Sequence, residues 1–452
     1  MTLLLLLPLA LAGEGGGSAA VNLHFGTATC GDVTVADCRW LDFQDLVVLG
    51  GHYRETPSPG VTVYLSGEVR LHPALDAEEV GDTTRSERVQ PWTLEVPEAW
   101  LDLNKALFPA LDLRVGQQRF AWGVGLGMNP VDVVNPYDLR DPARFDQRLG
   151  IPAISARLHH QQAAIELVYV PLFRPARMPE EIDLLEDAED LFDFSDVGGG
   201  DVELGELETR TTFPDDRVGF AAIAFRASVA APAVDLALVG YYGRDSMPQV
   251  GGHARLVGFA TDTDRVDVGI PVFYPKMFLA GLEARAPLWW EIGGWVEAAV
   301  VFPERAVVTA TRSQLEALVN LGVLDEVPDP LPETVIQDGN PFPRWVVGVD
   351  RFIGRFALNL QWIHGLPTER QNADISDYVA LGAFITISEP VQLRLSGLTD
   401  AESWFARGEL AVLHRDAATV TLGAVLTDGP EGSALGQLHQ VSNVYLGLEA
   451  AF

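Results

Sequence analysis

The sequence predicts an all-β protein: a transmembrane, antiparallel, up-and-down β-barrel of about sixteen strands, within a range of roughly 14–18. Three observations predict this fold class. Segments in which apolar and polar residues alternate recur along most of the 452-residue chain. The connections between these segments are long and short in turn. The pattern also continues to the last residue, because the segment 443–452 is apolar at every second position and ends on Phe452.

The N-terminal stretch predicts export. Hydrophobic residues make up 48% of the chain, yet no run approaches the roughly 20 apolar residues that a spanning helix needs. The apolar stretch 3–12 is too short to span, and small residues at positions 10 and 12 precede a glycine-rich segment. We therefore expect a signal peptide over 1–12, although no Lys or Arg precedes its apolar core.

Charge and cysteine content narrow the class of protein further. A net charge of −32 argues against nucleic-acid binding, because a polyanion would be repelled. Such acidity suits loops that lie among divalent cations at an anionic lipid surface. Cys30 and Cys38 are the two cysteines, and so close a pair in an exported chain is expected to form a disulfide. A metal site there would need further ligands.

The period-2 runs define the strands in order. They lie at 61–72, 92–103, 111–120, 151–160, 163–170, 217–227, 234–243, 276–286, 291–302, 344–352, 355–364, 377–387, 391–399, 404–413, 419–427 and 443–452. The barrel domain is thus predicted to cover 61–452. The sequence leaves three options for 13–60: a periplasmic extension, a plug in the pore, or an additional strand around 45–53.

The lengths of the connections give the strongest argument for a membrane barrel. Links from odd to even strands are mostly long, as at 73–91, 121–150, 171–216, 244–275, 303–343, 365–376 and 428–442. Links from even to odd strands are all short, as at 104–110, 161–162, 228–233, 287–290, 354, 388–390 and 414–418. A soluble β-sandwich has no reason to sort its loops in this way. Membrane barrels have long external loops and short periplasmic turns. One long link, 303–343, contains a helical spacing at 313–324 after a Ser cap.

The two faces of the strands agree with this reading. In the segment 355–362 the even positions are apolar, whereas Arg355, Asn359 and Gln361 are polar. A charged side chain on the lipid face would cost about 2–4 kcal/mol at the bilayer midplane. The polar set is therefore expected to face a lumen, and aromatic residues near strand ends are expected at the membrane interfaces.

The stretch 111–139 is the most distinctive in the chain. It contains Arg-x-Gly-x-Gln, then Trp-Gly, then Asp-x-x-Asn-Pro-x-Asp-Leu, at Arg114, Gly116, Gln118, Trp122, Gly123, Asp132, Asn135, Pro136, Asp138 and Leu139. This pattern resembles a group of porin-like outer-membrane β-barrels of Gram-negative bacteria, mostly without assigned function. The resemblance covers about 30 of the 452 residues and extends to the C-terminal Phe. It implies an outer-membrane barrel and a channel whose loop after the Arg-x-Gly-x-Gln strand folds into the bore.

Candidate residues of a pore or constriction are charged or polar positions on lumen-facing strands and in the connection 121–150. They are Asp112, Arg114, Gln118, Arg119, Asp132, Asp138, Arg140, Arg144, Arg148, Arg355, Arg394, Arg407 and Glu409. Arginines that line a pore could hold an anionic or sugar-like solute through forked hydrogen bonds. The alternative is structural: cross-strand ion pairs in the wall, and salt bridges that fix the loop to it.

The function expected from these features is passive or weakly selective diffusion of small hydrophilic solutes, with no cofactor and no metal. Hydrolase and phosphate-binding motifs are absent from the sequence, so an enzyme is not expected. The alternatives are a closed barrel with an adhesin or scaffold role, and an outer-membrane hydrolase with a site assembled from distant strands. Expected partners are membrane lipid, lipopolysaccharide, the barrel assembly machinery and the solutes. Barrels of this size are commonly homotrimers.

Overall fold

The computed structural model describes residues 14–26, 47–71, 92–140, 146–178, 203–211, 213–214, 218–253, 255–260, 265–320, 326–331, 333–370, 375–414, 418–430, 433, 435 and 442–451. The predicted signal peptide 1–12, the predicted disulfide between Cys30 and Cys38, and Arg144 lie outside these residues. Among the described residues, no helix is long and apolar enough to cross a membrane.

The structure is almost entirely β. Its strands are β1 (Glu14–Gly26), β2 (Val47–Ser58), β3 (Val61–Leu71), β4 (Trp92–Glu95), β5 (Ala99–Leu103), β6 (Leu111–Gln118), β7 (Ile151–His160), β8 (Ala163–Leu172), β9 (Glu203–Thr211), β10 (Val218–Ala230), β11 (Asp235–Arg244), β12 (Gln249–Val250), β13 (Gly252–His253), β14 (Arg255–Ala260), β15 (Arg265–Phe273), β16 (Lys276–Pro287), β17 (Ile292–Pro303), β18 (Ala306–Thr309), β19 (Glu333–Gln337), β20 (Phe342–Ile353), β21 (Phe356–His364), β22 (Asp377–Ser388), β23 (Val391–Thr399), β24 (Trp404–His414), β25 (Ala418–Asp428) and β26 (Asn443–Ala451).

Within the described part of the chain, eighteen antiparallel strands form a closed transmembrane barrel. This number counts β4 and β5, which both pair with β3, as one strand interrupted at 96–98. The barrel closes where β1 pairs with β26, from Ser18 opposite Ala451 to Gly26 opposite Asn443. Closure pairs the edges of the first and last strands, as the interior of a bilayer requires. The prediction of an antiparallel barrel is confirmed, and its range of roughly 14–18 strands includes the observed number.

The barrel begins earlier in the chain than the predicted domain 61–452. The segment 13–60 supplies two barrel strands, β1 and β2, which pair with each other from Glu14 opposite Arg54. The first of them was missed for a physical reason. Residues 15–20 are Gly-Gly-Gly-Ser-Ala-Ala, and side chains this small give no contrast between an apolar and a polar face.

The strands alternate in the predicted sense. Along β21, Phe356, Leu358, Leu360 and Trp362 are 44–47% exposed, while Gln361 between them is buried. Large exposed apolar residues recur at every second position around the outer face of the barrel. This continuous apolar exterior would be unstable in water, and it is what a lipid-facing wall requires.

Aromatic side chains lie at both ends of the outer face. Trp289 and Trp290 are 66% and 74% exposed in the short turn between β16 and β17. Trp92, Trp362 and Trp404 lie at the opposite end and are 41–47% exposed. Trp100 departs from the predicted aromatic belts. It stacks on the lumen-facing Tyr64, with ring centroids 5.0 Å apart.

The long connections build additional structure outside the barrel. Strand β15 pairs with β9, β12 and β14, while β18 pairs with β13 and β19. The helix α1 (Arg312–Asn320) lies within the predicted helical link. Its cap is Thr311 rather than Ser313, because the backbone N–H of Thr311 donates to Gln314 Oε1 at 2.9 Å. The Thr311 hydroxyl donates to the same oxygen at 2.7 Å, so Gln314 supplies one of the two bonds of a capping box.

Candidate functional site

The connection between β6 and β7 folds into the barrel over its described residues, 119–140 and 146–150, which we call the inward loop. Its side chains Phe120, Trp122, Val131 and Val134 are each at most 7% exposed. They pack in one apolar cluster with lumen-facing residues of β7, β8, β10, β11, β16, β17 and β20. Burial of such a side chain contributes roughly 1.5–3 kcal/mol. Because the wall is apolar where the loop lies, the loop is held against it and occupies part of the bore.

Glu297 on β17 anchors the inward loop from the wall. Its carboxylate is fully buried and accepts hydrogen bonds from three backbone N–H groups. Val131 N donates to Oε1 at 2.8 Å, and Val124 N donates to Oε2 at 2.9 Å. Gly125 N makes a longer contact of 3.4 Å to Oε2. One wall side chain thus satisfies backbone donors that a buried loop would otherwise leave unpaired.

Side chains of three further strands hold the loop on either side of Glu297. Glu283 on β16 accepts from Gly123 N at 3.2 Å and forms a two-bond ion pair with Arg226 at 3.0 and 2.6 Å. Glu166 on β8 accepts from Trp122 Nε1 at 3.1 Å. Gln361 on β21 bonds both the N–H and the carbonyl of Leu126, each at 3.0 Å. The loop therefore contacts a continuous arc of the wall from β8 to β21.

Two glycines of the distinctive motif are required for steric reasons. Gly116 has a φ of +131°, and a Cβ there would lie 2.2 Å from the carbonyl oxygen of Ala99. Gly123 has a φ of +93°, and its Cβ would lie 2.6 Å from Glu297 Oε2. Both positions need a left-handed backbone and a close approach that other residues do not allow. The first glycine lets β6 lie against β5, and the second lets the loop reach its anchor.

Asn135 of the same motif ties the two ends of the inward loop together. It is 1% exposed, and its Oδ1 accepts from Phe120 N at 2.7 Å. Its Nδ2 donates to the carbonyls of Gln118 at 3.1 Å and Leu149 at 2.8 Å. Both hydrogen-bonding ends of the amide are thus in use, so the residue fixes where the chain leaves β6 and where it returns.

Asp132 and Arg148 form a buried pair within the loop. Arg148 Nε lies 3.4 Å from Asp132 Oδ2, and its guanidinium carbon stacks 3.6 Å from the centroid of the Tyr137 ring. Burial raises the pKa of the Asp132 carboxyl to about 6, and the charge of Arg148 only partly opposes that rise. The loop therefore contains a carboxyl group that titrates close to neutral pH.

A second charged cluster joins the loop to the wall near β3 and β4. Glu95 Oε1 lies 3.1 Å from Arg140 Nη1 and also accepts from Arg177. Arg70 lies 3.8 Å from the other Glu95 oxygen. Arg140 also forms a two-bond pair with Asp138 at 2.9 and 2.7 Å. Burial acts to raise the pKa of Asp138, but the hydrogen bond and charge of Arg140 lower it overall.

The wall formed by β23, β24 and β26 carries a separate charged group. Arg407 Nη2 donates to Glu409 Oε1 at 2.6 Å, and Tyr445 also donates to that oxygen. Arg394 Nη1 lies 3.9 Å from the other oxygen of Glu409, and its side chain is 55% exposed. A loosely paired arginine in a solvated lumen keeps most of its charge available to passing ions.

The remaining sequence-predicted residues lie in varied places. Asp112 is paired with His159 at 3.0 Å near the short-turn end of β6, and Arg114 is paired with Asp102 at 3.0 Å. Gln118 is buried and donates to the Ala153 carbonyl at 2.9 Å. The last two residues are exposed. They are Arg119, at the start of the inward loop, and Arg355, whose Nη1 donates to the Ile387 carbonyl at 3.1 Å. The pore role of this set stays a prediction.

Sequence reasoning did not select the anchors Glu283, Glu297 and Gln361 as site residues. Strand alternation did place all three on the lumen face. Their partners lie far away in sequence, however: Val131 is 166 positions from Glu297. The face of the strand on which a side chain lies is set by the local sequence. The loop segment that this side chain contacts depends on how the barrel closes.

Among the described residues, no group of His, Cys, Asp and Glu side chains could hold a metal ion. No protein-family model matches the sequence. No curated protein matches it either.

Several solved outer-membrane proteins are similar in overall structure. Wzi of Escherichia coli, an outer-membrane protein of group 1 capsule assembly described as a carbohydrate-binding β-barrel, is 10% identical. The alignment covers 98% of this chain and 85% of Wzi, with a TM-score of 0.47. OpdK of Pseudomonas aeruginosa is 8% identical over 97% of this chain and 99% of its own, with a TM-score of 0.47. OccK9 of Pseudomonas aeruginosa is 8% identical over 97% and 96%, with a TM-score of 0.49. These values are too low to carry an argument about this chain.

Proposed function

We propose that this protein is an outer-membrane channel for passive or weakly selective diffusion of small hydrophilic solutes. The observation that carries the proposal is the inward loop, which lies inside the barrel against the wall and is anchored by Glu166, Glu283, Glu297 and Gln361. A loop fixed in this way narrows a bore without depending on external structure. The apolar outer face with aromatic residues at both ends supports placement in a membrane.

Charged groups in the lumen provide the means of selection. Arg394 and Glu409 lie on one side of the barrel, and the cluster of Glu95, Arg140 and Arg177 lies where the inward loop meets β4. Charged groups of this kind can replace part of a solute's hydration as it passes. No cofactor enters this mechanism.

A second candidate function has its own supporting observation. The apolar cluster between the inward loop and the wall is packed like a protein core, as expected for a filled barrel. A filled barrel would serve as an adhesin or an envelope scaffold. The absence of enzymatic turnover stays a prediction, and product release from a lipid or peptide substrate would contradict it.

Single-channel recording separates these candidates. We expect the purified, refolded full chain to give steady openings in a planar bilayer, with a reversal potential under a KCl gradient that changes when lumen charges are altered. A barrel that is folded, as judged by heat-modifiable migration in electrophoresis, yet silent in the bilayer would refute the channel and favour the filled barrel.

A further inference from the structure

The inward loop leaves one side of the lumen uncovered. The two large apolar clusters that pack loops against the wall draw on barrel strands from β7 to β26 and, within the described part of the chain, on none from β1 to β6. The residues that strand alternation places on the lumen face of β1 and β2 are mostly small, and they include Gly16, Ser18, Ala20 and Gly50. The described structure therefore leaves room for solutes beside β1 to β6.

Four arginines, which we call the arginine cluster, lie where the inward loop borders this open side. They are Arg119 and Arg140 of the loop, and Arg174 and Arg177 of the connection that follows β8. Over the described residues, three carboxylates contact them, and these belong to Glu95, Glu98 and Asp138. The arginine cluster therefore carries one positive charge more than the carboxylates that contact it.

Two members of the arginine cluster are paired within the protein. Arg140 and Arg177 share the Oε1 of Glu95, and Arg140 also forms the two-bond pair with Asp138. Arg70 lies 3.8 Å from the other oxygen of Glu95. Because these carboxylates are neutralised by their partners, they repel an approaching anion less than free carboxylates do.

Arg119 and Arg174 have hydrogen-bond donors to spare. Arg174 donates from Nη1 to the carbonyl of Gly150. Arg119 is exposed, and its backbone N–H donates to Glu98 Oε1 at 3.4 Å. A guanidinium group carries five N–H donors. In the part of the chain that the structure describes, most donors of these two side chains are therefore unused.

The positive charges lie close enough to act on one another. Burial lowers the pKa of the Arg174 guanidinium, and the charges of Arg177 and Arg119 lower it further, although Glu95 and Asp138 oppose this. Like charges held together repel, so an anion bound among them would relieve that repulsion.

We propose that Arg119 and Arg174 bind the oxyanion group, a carboxylate or a phosphate, of a small solute, with Arg177 adding a third positive charge. Both oxyanions present two oxygens that match the forked donors of a guanidinium. A neutral solute could accept the same hydrogen bonds, but it would leave the repulsion between the arginines in place.

This site would give the proposed channel its solute class, and in that role the inference rests on the proposed function. Binding to the folded barrel does not require conduction, so the two can fail independently. A solute held by Arg119 and Arg174 would lie beside β1 to β6, where the lumen is uncovered.

The test is isothermal titration calorimetry on the full chain in a nonionic detergent and a chloride buffer. The probes are inorganic phosphate and succinate, with maltose as the neutral comparison. The first variant is Arg119→Gln, which removes no described side-chain contact. Its matched control is Arg351→Gln, because Arg351 is also exposed but lies outside the lumen by strand alternation. We expect saturable binding of an oxyanion, about tenfold weaker in Arg119→Gln and unchanged in Arg351→Gln.

The two probes distinguish the sources of the oxyanion. Tighter binding of phosphate supports the site and indicates a phosphorylated solute, whereas tighter binding of succinate supports it and indicates a carboxylated one. Arg174→Lys keeps the charge and removes the fork, so it should also weaken binding. Unchanged affinity in Arg174→Lys would overturn the forked contact.

Three further results would overturn the inference: no saturable binding of either oxyanion, equal weakening in Arg119→Gln and Arg351→Gln, or binding of maltose with the same affinity. The same preparation is then recorded in a bilayer. A barrel that binds an oxyanion but never conducts refutes the channel alone, and one that conducts without binding refutes the oxyanion site alone.

Discussion

Replacing Glu297 by Ala should release the inward loop. In the native structure this buried carboxylate accepts short hydrogen bonds from Val124 N at 2.9 Å and Val131 N at 2.8 Å, and a longer one from Gly125 N at 3.4 Å. A buried N–H left without an acceptor costs about 1–3 kcal/mol. Loss of the two short bonds in Glu297→Ala therefore costs roughly 2–6 kcal/mol. The equilibrium between the inward and the released loop shifts toward release by about 30-fold to about 10⁴-fold.

The assay is single-channel recording in a planar bilayer. For Glu297→Ala we expect higher mean conductance and more open-channel noise, because a mobile loop blocks the bore only part of the time. Glu297→Gln should show a smaller effect, since its one amide oxygen can still accept from part of the set. Glu409→Ala is the matched control. It also removes one lumen carboxylate, but Glu409 contacts Arg407, Arg394 and Tyr445 rather than the loop.

The control separates release of the loop from loss of charge. Both alanine variants remove a carboxyl group from the lumen, so a change that they share reports the loss of that group rather than release of the loop. Only Glu297→Ala should change noise and mean conductance. If the two variants give indistinguishable records, or if Glu297→Ala behaves like the wild type, the carboxylate does not hold the loop.

Three further predictions follow from the same structure. Gly116→Ala should lower the thermal unfolding temperature of the barrel more than Gly127→Ala, because both glycines have positive φ but only the first Cβ would clash. Asp132 has a raised pKa, about 6 against an ordinary 3.8, so the stability it contributes should be present below pH 3.8 and be lost as pH rises through 6. Asp132→Asn should flatten that part of a stability profile. Arg394→Gln should move the reversal potential toward cation selectivity, whereas Arg351→Gln, outside the lumen by strand alternation, should not.

Each of these has an outcome that contradicts it. Equal unfolding temperatures for the two glycine variants would mean that backbone strain, and not the close approach to β5, limits position 116. An unchanged pH profile in Asp132→Asn would show that this carboxyl group does not titrate in the loop. Equal reversal potentials for the two arginine variants would remove Arg394 from the conduction pathway.

The sequence was sufficient for the barrel wall. A strand in a membrane barrel contacts lipid on one side and the lumen on the other, so apolar and polar residues alternate along it. This alternation is visible in the sequence of each strand by itself. The same local signal placed Glu297 and Gln361 in the lumen. It failed for β1, where small residues carry no such contrast, and for Trp100, which faces inward despite its position near a strand end.

What only the tertiary structure decided is the filling of the lumen. The roles of the motif residues Gly123 and Asn135 become clear only with the loop inside the barrel. Gly123 approaches Glu297, and Asn135 joins the two ends of the loop. The recess beside the inward loop likewise combines segments that are more than two hundred positions apart, from Met128 to Arg344. Alternation along one strand fixes which way a side chain points. Which distant segment it meets depends on strand order and register, and these are set only when the last strand pairs with the first.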